Sequence, residues 1–234
     1  MSKIYSYVLR FDDGAAPNPF WEVCTLAICK PAIRRKAEPG SWVIGTGSKY
    51  SKCNDGNTYD FSGMLVYAMK IEDSLSLKKY DEHCQTHLPA KIPDKRSLDW
   101  RLHLGDSIYD YSKGLEPSQR KGKHNLNDQP RDLSGKNVLL SKHFYYFGEN
   151  PILLPQQFQR FVKKNQGHKI IRYQFLVAEF EKWISTLGPI GMRSDPQLSF
   201  QTILEMEKEI INNCTNSCSH LKIKKYSHGS NCNL

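Results

Sequence analysis

Residues 40–48, GSWVIGTGS, and residues 63–71, GMLVYAMKI, decide the fold class. Glu38-Pro39-Gly40 before them is a turn, because proline presets φ and glycine supplies the positive φ of a tight reversal. Ser41–Gly45 then reads as a strand entering the Gly45–Ser48 loop, and Gly63–Ile71 as a second, longer one. Both are apolar runs of strand length bounded by turn residues. Ile4–Phe11, with Tyr5, Tyr7, Val8 and Leu9, reads as a third strand and ends at Asp12-Asp13-Gly14. Pro17-Asn18-Pro19 interrupts regular structure, because each proline removes a donor. Cys24–Cys29 (CTLAIC) is a short apolar run of strand length, and Lys136–Phe147 (KNVLLSKHFYYF) returns to strand character.

Helical signals come mostly late. Ser74–His83 predicts a short helix capped by Ser74. Gln156–Lys164, Tyr173–Leu187 and Leu198–Asn213 follow, and in the middle one Phe175, Leu176, Phe180, Trp183, Ile184 and Leu187 recur at helical spacing. Strands first and helices last predict an α+β fold: a mixed or barrel-like β core with C-terminal helices. The chain divides into a main domain (1–165), helices packed on it (166–213) and a Cys/His-containing tail (214–234), a position where disorder concentrates. Residues 84–135 are polar and mostly loop, broken by Asp106–Tyr111; a loop this long inside a compact domain is functional or disordered.

The 234 residues carry a formal net charge of +9, with basic clusters at 30–36, 120–123, 163–172 and 222–225. Such a surplus attracts phosphates and points to a nucleic-acid or nucleotide partner. No apolar run approaches the ~20 residues that span a bilayer, and MSKIYSYVLR lacks the long apolar stretch of a signal peptide. The expectation is a cytoplasmic protein without a membrane partner; the oligomeric state is not readable. The seven cysteines form no framework and are expected to be thiols or metal ligands.

Candidate chemistry gathers between Arg10 and Ser48. Gly45-Thr46-Gly47-Ser48 offers backbone N–H groups and hydroxyls to a phosphate, though it lacks the lysine ending of a P-loop. Lys30, Arg34 and Arg35 form a basic group able to clamp an anion. Asp12, Asp13, Asp106 and His143 are the acid/base candidates. Arg10 and Asn18 complete the polar lining, and Phe20, Trp21, Tyr109 and Tyr145 offer rings to a base. A nucleophilic Cys24 or Cys29 requires a base, and His143 is the partner the sequence offers. In the tail, Cys214, Cys218, His220, His228 and Cys232 are zinc-type ligands at a spacing matching no standard finger.

Two resemblances follow. The Pro39-Gly40 turn with the Trp42–Ile44 and Gly63–Ile71 strands resembles the small β-barrel of the PUA and EVE superfamily, whose modules bind RNA or modified DNA bases. More of the chain resembles the nucleotide modification associated domain 2 family. The residues are Arg10-x-Asp12, Ala16–Phe20, Cys24–Leu26, Cys29–Arg35, Gly45–Ser48, Gly105–Tyr109 and Ser141–Gly148. That resemblance implies a role near modified nucleotides. The expected function is binding of a modified nucleobase or nucleotide in one polar pocket. The alternatives are an enzyme altering a DNA base through Asp12 or Asp13 and His143, and a non-catalytic interaction component of a phage or defence system. Which base, which modification and which cofactor are not readable.

Overall fold

In the computed structural model, which describes residues 1–217, the chain builds stacked layers of sheet and helix. The larger sheet is mixed. Its strand order is His168–Ile171, Ile4–Val8, Trp42–Thr46, Met64–Lys70, Phe144–Tyr146 and Gly191–Met192, with Ile152–Leu153 also paired to Met64–Lys70. Ile4–Val8 runs parallel to Trp42–Thr46, and Phe144–Tyr146 parallel to Gly191–Met192; the other pairings are antiparallel. The smaller sheet is antiparallel, with Asn137–Ser141 between Cys24–Leu26 and Asp73–Ser76.

Alternation along the strands sorts the core. Tyr5, Tyr7, Val43, Phe144 and Tyr146 point to one face of the larger sheet and pack against Cys24, Leu26 and Leu139 of the smaller one. Ile4, Trp42, Ile44, Tyr145 and Phe147 point to the other face, beneath the helix Gln174–Ser185 with its buried Val177, Phe180 and Ile184. Burying side chains of this size contributes about 1.5–3 kcal/mol each. The smaller sheet turns Val138 and Leu140 outward onto Leu77, Tyr80 and Cys84 of the helix Leu77–Thr86.

The α+β class and the mixed sheet are as expected. The sheets stay open rather than closing into a barrel, ending at the edge strands His168–Ile171 and Gly191–Met192. The segment after residue 165 therefore supplies both edges of the larger sheet as well as helices. Lys136–Phe147 is two strands in different sheets, because Ser141 Oγ donates to the carbonyls of Lys70 and His143 and turns the chain between layers. The predicted Ser74 cap moves to Ser76, which accepts from the Lys79 N–H after Asp73–Ser76 has paired as a strand. Gln156–Phe161 is a 3-10 segment.

Candidate active site: a cysteine, a histidine and an aspartate at the end of the smaller sheet

Beyond Leu26 the chain leaves the smaller sheet through buried Ala27 and Ile28 and reaches Cys29. Cys29 and Lys30 both have positive φ, 57° and 40°, before Pro31 opens the short helix Pro31–Arg34. Two successive non-glycine residues in the left-handed region cost about 1–3 kcal/mol each and persist only where the surroundings fix them.

Arg34 does the fixing. Its side chain is fully buried. Nε donates to the Cys29 carbonyl at 2.8 Å, Nη1 to the carbonyls of Ala27 and Asn137, and Nη2 to that of Asp132. Gly135 makes room for this, since a Cβ there would collide with the guanidinium. The guanidinium thus ties the Cys29 elbow to the short helix Gln129–Leu133, which carries Asp132.

Asp132 is fully buried and saturated with donors. It accepts from the Cys29 N–H at 2.9 Å, from the Tyr109 hydroxyl at 3.0 Å and from His124 Nδ1 at 2.5 Å. Burial works against its charge, but these bonds outweigh burial and hold the carboxyl below its ordinary range. His124 then presents Nε2 to Cys29 Sγ at 3.3 Å. Burial disfavours the imidazolium, yet the bonds to Asp132 and Cys29 prevail and raise its pKa to about 10. Gln119 pins the loop by donating to the His124 carbonyl at 2.8 Å. A thiol, an imidazole and an orienting carboxylate in this order are the arrangement by which cysteine nucleophiles are activated.

Cations flank the thiol. The Lys30 ammonium stands 4.4 Å from the centre of the Tyr7 ring. Burial lowers its pKa; Cys29 opposes that, while Arg131 and Arg10 reinforce it. A cavity of about 180 Å³ is lined by Phe11, Asp12, Asp13, Lys52, Lys123 and Thr202. Lys123, next to the catalytic candidate His124, pairs with Asp13 at 3.1 Å. Burial raises the Asp12 carboxyl to about 7, although it accepts hydrogen bonds from the Tyr146 hydroxyl at 2.7 and 2.8 Å.

The expected single pocket is corrected by this geometry. Arg10 is close enough to act on the charge of Lys30, Asp12 and Asp13 line the neighbouring cavity, and Tyr109 holds Asp132. His143 does not join them: it stacks edge-on against Trp42 and Tyr145, on the face of the sheet opposite Tyr146 and Asp12. Strand alternation makes a shared pocket impossible for these two. Asn18 and Asp106 belong to a sealed network around Lys91. Phe20 and Trp21 pack into an apolar cluster with Leu104, Leu198 and Trp100. Arg34 is an internal brace instead of an anion clamp, and Arg35 donates to the Ser134 carbonyl at the surface. Gly45 and Thr46 lie within a buried strand, Gly47 presses on Phe61, and Ser48 Oγ accepts from the Tyr50 N–H, so this stretch is strand and turn and not a phosphate cradle. Cys218, His220, His228 and Cys232 lie outside the described residues, as does the side chain of Cys214.

Sequence reasoning misses His124 and Asp132 because the polar loop carrying them has no periodic pattern. Its length is the one signal pointing to function.

Neither a curated protein nor a solved structure matches the chain. A family model does, over residues 1–203, and its description is nucleotide modification associated domain 2. With most of its length matched, the chain belongs to the nucleotide modification associated domain 2 family.

Proposed function

We propose that this protein serves a nucleotide modification system as an enzyme, using Cys29 for covalent catalysis on a group carried by a nucleotide. The supporting observation is the unbroken line Sγ–Nε2 at 3.3 Å and Nδ1–Oδ2 at 2.5 Å, with the carboxylate also gripping the nucleophile's own N–H. This keeps the enzymatic alternative and replaces Asp12, Asp13 and His143 as its catalytic groups.

The reaction class is acyl transfer or hydrolysis at a carbonyl-type carbon. Cys29 sulfur bonds to that carbon, and the imidazolium of His124 gives its proton to the leaving amine or alcohol as the carbon–heteroatom bond breaks. The neutral imidazole then takes a proton from water or an acceptor amine, which attacks the thioester and restores the thiol. Asp132 keeps Nδ1 protonated and the ring in plane. Lys30 and Arg10 supply positive charge for an anionic part of the substrate.

The test compares nucleosides by mass spectrometry in DNA from cells expressing wild-type protein or Cys29→Ala. A thiol-dependent change in nucleoside composition is expected. Identical changes with both proteins would refute the thiol reading, and no change with either, beside tight binding of a nucleotide, would make the protein a reader.

A further inference from the structure

We propose that the groove along the edge strand His168–Ile171 is a track for the phosphodiester backbone of a nucleic acid strand. The groove has a volume of about 330 Å³, and Arg160, Lys163, Lys164, His168 and Lys169 line it. Among the described residues no carboxylate lies within ion-pairing distance of any of them. By contrast, the basic run at 120–123 is largely neutralised: Lys121 pairs with Glu209, Lys123 with Asp13 and Arg120 with Asp81 and Asp110. Like charges crowded without counter-charges repel, and burial together with Lys36 and Lys163 lowers the pKa of His168. A ligand with a repeating negative charge relieves that repulsion along the whole groove, whereas a single phosphate reaches only part of it.

His168 lies opposite Tyr7 in the antiparallel register, and directly opposed residues share a face of the sheet. The His168 ring stands 6.2 Å from that of Tyr5 on that same face. There the Tyr7 ring also carries the Lys30 ammonium, one residue from Cys29. Lys36 and Lys163 also act on His168, so positive charge concentrates at this edge, while Lys169, opposite Ser6, alternates to the other face and Tyr5 and Tyr7 are buried between the sheets.

The experiment measures binding of fluorescent single-stranded DNA and RNA of equal length to the full chain, by anisotropy over a range of salt. The triple variant Lys163→Glu, Lys164→Glu, Lys169→Glu should bind at least tenfold more weakly. Its slope of log affinity against log salt should be shallower by about 2, because each phosphate that is no longer neutralised takes roughly 0.7 from the slope. Lys78→Glu with Lys79→Glu and Lys113→Glu, an equal reversal outside the groove, should change little. A preference for DNA or RNA identifies the sugar and supports the track. Unchanged affinity and slope in the groove variant overturns it. So does an equal loss in the control variant, or displacement of the strand by polyglutamate at matched charge. The groove variant should keep the wild-type rate of Cys29 labelling by iodoacetamide, so the groove and the thiol chemistry fail separately.

Discussion

Two buried polar clusters lie at opposite ends of the strand Cys24–Leu26, and they differ in what they leave unfilled. Around Lys91 everything is used. Its ammonium donates to Asn18 O at 2.9 Å, Asn18 Oδ1 at 2.6 Å and Val23 O at 2.6 Å, satisfying all three protons. Asp106 nearby accepts from Thr25 and Tyr80 at 2.6 Å each. Lys91, Asn18, Thr25 and Asp106 are at most 1% exposed. Around Cys29 the inner members are just as saturated, but the outer ones keep capacity. The thiol is half-buried, the His124 side chain is 13% exposed, and Lys30 and Arg10 make no ion pair with a carboxylate among the described residues. A polar cluster with every donor and acceptor occupied and no route to solvent holds a fold together. One with saturated supports and an open reactive end fits the reaction proposed above.

Breaking each cluster should give opposite phenotypes. The largest effect is expected from Cys29→Ala, which removes thiol-dependent turnover and the fast fraction of iodoacetamide labelling while the far-UV spectrum stays unchanged. The buried Cys24 and Cys84 contribute little to that fraction, since burial pushes both thiols up to about 12. Asp132→Asn should slow turnover about 10²–10⁴-fold, the usual range for a disrupted acid–base pair. It should also return the imidazole of His124 toward its ordinary pKa in an NMR titration. In wild type the raised pKa gives stability that is complete below about pH 6.5 and lost as pH rises through about 10. The variant should lack that alkaline loss.

Lys91→Met should do the reverse. Leaving Asn18 and Val23 without a donor and Asp106 without its nearby cation should cost about 3–5 kcal/mol in urea denaturation. The thiol labelling rate of the folded fraction should not change. The smallest effect sharpens the comparison at the rim. Asp12, raised to about 7, stabilises the fold fully below about pH 4 and progressively less as pH rises through 7. Asp12→Asn keeps an acceptor for Tyr146 without the charge. Its melting temperature relative to wild type should therefore climb by a few degrees between pH 4 and 7 and level off above.

The strands around Trp42, Met69 and Tyr5 are legible because their apolar runs are local signals, and Phe180 and Trp183 announce their helix through spacing alone. Edge strands such as Gly191–Met192 are not legible: two residues carry no period, and only the neighbouring strand makes them a sheet. At the site, Lys30, Arg10 and Tyr109 are nominated by type and position. The decisive pairing is hidden, because His143 and His124 are equivalent as letters and only strand alternation separates them. Arg34 illustrates the same limit from the other side. A lysine- and arginine-rich stretch reads as a surface, and nothing local marks the one guanidinium that Gly135 admits to the interior.

The partners of Cys29 are far along the chain: His124 is 95 positions away and Asp132 is 103. During synthesis the cysteine therefore leaves the ribosome well before the groups that activate it. At 5–20 residues per second the interval is roughly 5–20 s. Through that time the thiol is an ordinary one, unable to attack acyl groups in its surroundings with any special speed. On the mechanism proposed here, the thiol meets its partners only when the long loop docks, so its reactivity would report that folding is finished.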